Sequence, residues 1–198
     1  MSTFDPFHSQ RLVYRAVRET AEDEAFVHSI QLDVEAESGS NYRLLRPESL
    51  KDTKSYMKYV SNCLLGVIVC LPPVFEAGVA GEPVGIVYLK ANPPGQEHHI
   101  CSDIGIDIAR RYRGRGYGGE AIRWALWYGF QMAGLHRVRI EAFSFNTGAV
   151  RLYERLGFQL EGRQRENVWF NGGWHDWLTY GMLEHEWRDM QRKGDTEV

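Results

Sequence analysis

Between a stretch that reads as a β-strand and the best helical pattern in the chain stands the run Arg113-Gly114-Arg115-Gly116-Tyr117-Gly118-Gly119. Glycines at alternate positions free the backbone for positive φ and for close approach by a ligand. Their N–H groups, with the first amides of the following helix, form an anion-binding cradle, and Arg113 and Arg115 add positive charge beside it. The bland alternative is a tight turn flanked by solvated arginines. No Lys-Ser/Thr follows, so this is not a Walker loop. The spacing also differs from the dinucleotide fingerprint, and no early βαβ unit opens the chain.

Hydrophobic periodicity places the turn in a mixed α/β chain. Residues 11 to 17 alternate apolar and polar and predict a first strand. Thr20 caps a helix running to about Asp33, with Asp23 at its third position. A polar loop, Glu37 to Asn41, leads to Pro47, which opens a second helix to about Tyr59. Residues 64 to 71 and 83 to 90 are apolar runs that read as buried strands, joined through a hairpin tip over 73 to 82. Residues 98 to 109 make a fourth strand. A helix from Tyr117 to Ala133 follows, with Ile122, Ala125, Leu126, Gly129 and Ala133 on one stripe. Residues 137 to 143 form a fifth strand, and Asn146 caps a short helix that Gly157 ends. Two last strands flank Asn171-Gly172-Gly173 as a closing hairpin. The order is β-α-α-β-β-β-α-β-α-β-β. Consecutive strands imply antiparallel pairing, and the strand-helix-strand unit over 98 to 143 implies a parallel pair, in a strongly curved mixed sheet. One domain over 11 to 186 is expected, with an N-terminal extension (1 to 10) and a polar tail (187 to 198) that frays.

Bulk properties exclude several functions. With 198 residues and a formal net charge of -3, the chain has no overall bias toward nucleic acid or membrane. The cluster Arg110, Arg111, Arg113 and Arg115 is too short for a nucleic-acid face. No basic-then-apolar leader and no long apolar run are present. Three cysteines without paired spacing read as reduced thiols. The expectation is a soluble cytoplasmic protein, with the nucleus left open. His98, His99 and Cys101 lie close together, but on a strand only two of them share a face, which is too few for a metal site.

The pattern Arg113-x-x-Gly116-x-Gly118, followed by Glu120-Ala121, resembles the coenzyme-A signature of the GNAT N-acetyltransferase superfamily. Asn146-Thr147-Gly148-Ala149 and Leu152 to Phe158 resemble its second signature. Glu161-Gly162, Asn171-Gly172 and Trp174-His175-Asp176 are similar to the ribosomal-protein N-terminal and spermidine acetyltransferase branch. The likeness covers roughly 85 to 185.

The resemblance implies a GNAT fold, acetyl-CoA as cosubstrate, no metal, and direct attack by a primary amine in a ternary complex. It implies that Gly114, Gly116 and Gly118, with Tyr117, Arg113 and Arg115, hold the pyrophosphate. It implies that the backbone of Ile106 and Ile108 meets the pantetheine arm, that Asn146 serves the pantetheine region, and that Tyr153 protonates the departing sulfur. A phenol can donate to a thiolate. Tyr153 also reads as a core residue, and Asn146 as a plain helix cap. Glu141 is the first candidate for the general base, with Asp103 and Asp107 as others; each also reads as a surface or ion-paired carboxylate. The acidic stretch over 19 to 42 is either a rim that attracts a cationic acceptor or a solvated face. Trp169, Phe170, Trp174 and Trp177 wall the acceptor pocket, make a homodimer contact, or simply cover the sheet. A rival from another class is a non-catalytic acyl-CoA-binding sensor or scaffold.

Overall fold

In the computed structural model, which describes residues 4 to 73 and 81 to 194, seven strands and six α-helices form two units. The first holds residues up to Ala91 together with Gly105–Ala125. Its strands β1 (Val13–Ala16), β2 (Leu65–Cys70) and β3 (Pro83–Leu89) pair antiparallel, with Tyr14 opposite Val69 and Ile68 opposite Ile86. The last part of β4 (Cys101–Ile108) lies beside β3. The contact is close: a Cβ on Gly85 would stand 2.5 Å from the Asp107 carbonyl oxygen.

Two helices share a core with this sheet, and a third short helix lies between them in sequence. α1 (Ala21–Gln31) starts at Thr20, whose hydroxyl accepts from the Asp23 amide at 3.3 Å. Asp23, 2% exposed, in turn accepts from the Arg15 guanidinium at 2.6 and 2.7 Å and from the Arg18 amide at 2.8 Å. Burial works to raise the Asp23 carboxyl, but these donors outweigh it and hold the group below the usual carboxylate range. α3 (Leu50–Ser61) opens on a reciprocal capping box between Ser49 and Asp52. The helix therefore begins three residues past the expected start at Pro47. A fixed φ at proline favours a helix start, but the Ser49–Asp52 pair satisfies two backbone amides. The expected loop over Glu37–Asn41 is instead the end of α2 (Val34–Ser40), capped by Asp33. Val27, Ile30, Met57, Val60 and Ile86 join α1, α3 and β3 in one core cluster. Most of the expected hairpin tip, residues 74 to 80, lies outside the described residues.

The second unit comprises Asn92–Ile104 and the chain from Leu126 onward. Here Cys101–Asp103 of β4 pairs parallel with β5 (Arg137–Phe143), the one parallel pairing that the strand-helix-strand pattern predicts. β5 pairs antiparallel with β7 (Gly173–Leu183), and β7 with β6 (Gln159–Phe170). The β6–β7 turn takes positive φ at Asn171 (47°) and Gly172 (82°), as a two-residue hairpin requires. Val138, Ile140, Phe158, Tyr180 and Met182 are buried here. The last described residues form α6 (Glu184–Gly194), where a frayed tail is expected from sequence. Trp187, 7% exposed and 5.6 Å from the Phe130 ring, anchors it.

α4 (Tyr117–Trp127) is shorter than its periodicity predicts. Its continuation, Tyr128–Met132, widens into a π-turn in which the Ala133 amide bonds the Tyr128 carbonyl.

Candidate functional site

The glycine-rich turn leaves β4 at Ile108, passes a 3₁₀ turn over Arg110–Tyr112, and enters α4. Gly114 and Gly116 sit at φ 74° and 83°, a region in which an L side chain is strained. A Cβ on Gly114 would meet nothing within 4 Å, so this backbone is open on its outer side. The first ladder bond of α4 runs from the Glu120 amide to the Gly116 carbonyl at 3.1 Å. The amides of Tyr117, Gly118 and Gly119 therefore precede the ladder, and glycine at 116 has no side chain to cap them. The arrangement is an amide cradle at the positive end of a helix dipole, suited to an anion such as a diphosphate.

Of the two arginines beside the cradle, Arg113 is engaged by the protein itself and Arg115 is exposed. The Arg113 guanidinium donates to the Ile108 carbonyl at 2.9 Å and to Asp33 at 2.8 Å, with Glu35 at 3.6 Å. Its charge is matched by the acids at the start of α2, and the Ile108 carbonyl already has this donor. Arg115 is exposed, its guanidinium 5.7 Å from the Tyr112 ring centroid. The half-buried Ile106 and Ile108 lie on β4 directly upstream.

Sequence reasoning missed the clamp beneath the turn. Arg11 donates through its amide and its Nε to Glu120 at 2.6 and 2.8 Å, and through Nη1 to the Arg115 carbonyl at 3.1 Å. Its guanidinium lies 4.9 Å from the Tyr117 ring centroid. The Ser9 hydroxyl donates to Glu120 at 2.7 Å. Burial works to raise Glu120, but Ser9 and Arg11 prevail and hold it ionised. These residues stand more than a hundred positions from their partner, so no local pattern announces them.

A second group lies in the same unit. The Tyr56 hydroxyl of α3 donates to the half-buried Asp107 at 3.3 Å. Tyr88 of β3 stands edge-on to Tyr56 and Tyr59, and its ring fills the place where a side chain at Gly105 would be, 2.0 Å from a Cβ built there. Burial raises the Asp107 carboxyl, opposed by Ser40, Tyr56 and Arg113. Burial likewise raises Glu37 of α2; the Asn41 amide opposes this, and repulsion from Asp107 and Glu48 adds to it. Burial, followed by the Asp107 charge, raises the Tyr56 and Tyr88 phenols. One buried oxygen of Glu48 has no hydrogen-bond partner.

The remaining predicted residues belong to the second unit. Tyr153, on α5 (Thr147–Arg155), is 7% exposed and edge-on to Tyr180 at 6.0 Å. Asn146 caps α5, its side-chain oxygen accepting from the Ala149 amide at 3.1 Å. Glu141 is exposed on β5 opposite Thr179. Asp103 is paired with Arg139 at 2.7 Å. Asp176 accepts from Arg163 and from the Glu166 amide. Trp169 and Trp174 are exposed at the hairpin tip, 5.2 Å apart. His98 and His99 lie in a 3₁₀ turn and not on a strand, so alternation of faces is the wrong geometry for them. Among the described residues no group of three metal-capable side chains converges, and no helix is long and apolar enough to cross a membrane.

Residues 11–159 match the family model described as an acetyltransferase (GNAT) domain. The prophage-derived N-acetyltransferase YokL of Bacillus subtilis is 35% identical over 75 residues, 38% of this chain and 42% of that protein. Spermidine N(1)-acetyltransferase of Escherichia coli K12 is 26% identical over 107 residues, 54% of this chain and 56% of that one. The chain thus spans about half the length of the curated relatives it matches. Among solved structures, spermidine N-acetyltransferase of Vibrio cholerae in complex with CoA and spermine superposes with a TM-score of 0.74 at 25% identity, covering 90% of this chain and 99% of that one.

Proposed function

Because the chain belongs to the GNAT acetyltransferase family, we propose that it transfers the acetyl group of acetyl-CoA to a primary amine. The observation that carries this reading is the start of α4: two glycines at positive φ and three amides ahead of the helical ladder, open to an anion. These groups fit a diphosphate, which supplies the oxygens that uncapped amides lack. Acetyl-CoA, when bound, supplies an activated thioester.

The protein's own residues have separate tasks in this reading. The amides of Gly114 to Gly118 bind the diphosphate. Arg113 braces the turn against Asp33, and Arg115 remains free to approach a phosphate from solvent. The backbone of Ile106 and Ile108 lines the pantetheine arm, the Ile108 carbonyl already engaged by Arg113. Asn146 fixes the start of α5. Tyr153 donates the proton that the departing sulfur needs.

Two features support a cationic acceptor. Asp107, Glu37 and Glu48 place mutually repelling carboxyls on the first unit. The Vibrio cholerae relative was crystallised with CoA and spermine. The acceptor is proposed as a protein N-terminus, a lysine or a polyamine-like small amine.

Calorimetric titration with acetyl-CoA tests the cofactor. The expected result is saturable binding by wild type that Gly116→Trp loses. A folded wild type that binds no acetyl-CoA refutes the proposal. Binding without thiol release over an amine panel leaves the sensor or scaffold reading instead.

A further inference from the structure

We propose that Arg11 is a positioning residue of the cofactor site: acting through Glu120 and the Arg115 carbonyl, it holds the amide cradle at the start of α4 in shape and clear of the protein's own negative charge. This deepens the transferase reading and rests on its placement of acetyl-CoA at that turn. The grip spans Gly116. Before it, Arg11 Nη1 donates to the Arg115 carbonyl at 3.1 Å. Beyond it, the Arg11 Nε and backbone amide donate to Glu120 at 2.8 and 2.6 Å. Arg11 Nη2 lies 3.2 Å from a Cβ placed on Gly116 itself. The Glu120 side chain is shielded, 12% exposed against 47% for Arg11.

Arg11 is delivered to the turn by a segment pinned along α4. Glu120 and Trp124 stand one helical turn apart and share a face of that helix. The Trp124 ring stacks on Tyr14 with centroids 3.6 Å apart, and its Nε1 donates to the Pro6 carbonyl at 2.9 Å. The Tyr14 amide donates to the Phe7 carbonyl at 2.9 Å. The Ser9 hydroxyl donates to Glu120 at 2.7 Å. Residues 6 to 14 are therefore fixed on both sides of Arg11.

Two obstacles to ligand binding meet at this turn. Glycine backbone has more conformations to lose than any other when it orders on a ligand. A brace on both sides of Gly116 removes part of that freedom before the ligand arrives. The second obstacle is charge. Glu120 lies in the first turn of α4, where the helix dipole attracts an anion. Released from Arg11 and Ser9, its carboxylate would compete for the amides of Tyr117, Gly118 and Gly119 and repel a diphosphate there. An ion pair this close to the surface contributes little to stability, so the main effect of the clamp is on affinity.

The test combines acetyl-CoA affinity by calorimetry, thiol release with spermine as acceptor, and amide hydrogen exchange over 114 to 119 in the ligand-free full chain. Arg11→Ala is expected to weaken acetyl-CoA binding about 10-fold, within the range for coupled neighbours. KM for acetyl-CoA should rise by a similar factor with kcat unchanged, and exchange in the turn should quicken. The double variant Arg11→Ala/Glu120→Gln should bind more tightly than Arg11→Ala, because the competing charge is gone. Ser9→Ala removes one donor from the same carboxylate and should weaken binding about 3-fold, the low end for one hydrogen bond; it carries the test if Arg11→Ala does not fold. Unchanged affinity or unchanged exchange in Arg11→Ala overturns the proposal and leaves the transferase intact. A kcat that falls together with affinity also overturns it, as general distortion behaves in that way. A double variant no tighter than Arg11→Ala removes Glu120 as the residue through which Arg11 acts. If spermine gives no turnover, affinity and exchange decide. A wild type that binds no acetyl-CoA overturns the cofactor reading itself, and this proposal with it.

Discussion

The starts of α3 and α4 solve one physical problem in opposite ways. Every helix begins with amides that have no partner inside the helix. At α3 the Ser49 hydroxyl and the Asp52 carboxylate close that gap with the protein's own atoms. At α4 the preceding residue is Gly116, and the three amides beyond it come before the helical ladder, after a turn that only glycine can make without strain. The anions close to α4 do not cap it: Glu120 is held sideways by Arg11 and Ser9, and Asp33 is occupied by Arg113. A capped start serves folding, and an uncapped start braced from behind is available to a ligand.

Breaking the open start should give the largest effect. Gly116→Trp forces a bulky side chain into φ 83° and against Arg11, 3.2 Å from a Cβ there. Acetyl-CoA affinity should fall at least 100-fold in calorimetry, about 2.7 kcal/mol. Retained affinity would move the cofactor away from this turn. Tyr153→Phe should come next, with kcat reduced by about 100-fold and acetyl-CoA affinity unchanged. Equal kinetics in the two proteins would assign Tyr153 to packing alone.

The capped starts should respond in stability instead. Ser49→Ala should cost about 1 kcal/mol in denaturant unfolding and leave acetyl-CoA affinity alone. A changed affinity would mean that α3 reports on the cofactor, which would blur the contrast. Asn146→Ala should cost a similar amount, about 1 kcal/mol. Any additional loss of affinity would show that this cap also serves the ligand. The smallest effect expected at working pH concerns Asp23, whose folded carboxyl titrates below its unfolded value near 3.9. Its contribution to stability is complete above that unfolded value and is lost as pH falls through the folded one. Thermal unfolding should therefore be steady above about pH 5 and drop below about pH 4, and the drop should be reduced in Asp23→Asn.

Much of this contrast is legible in the amino-acid order, because caps and turns are local. Thr20, Asn146 and the Asn171-Gly172 pair mark their elements correctly, as does the parallel pair around α4. α2 is not legible. Its residues Glu35, Glu37, Ser38 and Gly39 show no apolar stripe, and it stands on the Asp33 cap. The shortened α4 is also missed, since a π-turn keeps apolar residues on nearly the same face. The site divides in the same way. Glycine spacing announces the cradle, but Arg113–Asp33, Arg11–Glu120 and Tyr56–Asp107 join residues 80, 109 and 51 positions apart. Those pairings are made by the fold and leave no spacing to read. Of the carboxylates that the sequence offers as bases, Glu141 is exposed and Asp107 half-buried, a difference that no local pattern announces.

The last helix has a practical consequence. Gly157, at φ 90°, ends α5, and a Cβ there would lie 2.4 Å from the Met190 sulfur of α6. Met190 thus acts as a plug seated on a residue that must be glycine, with Trp187 wedged nearby against Phe130. A chain trimmed after Glu186, which looks harmless from composition, would pull the plug and wet an apolar floor that includes Met182. Affinity tags or fusion partners belong beyond Gly194, or at the other terminus behind a spacer that leaves Ser9 and Arg11 in place.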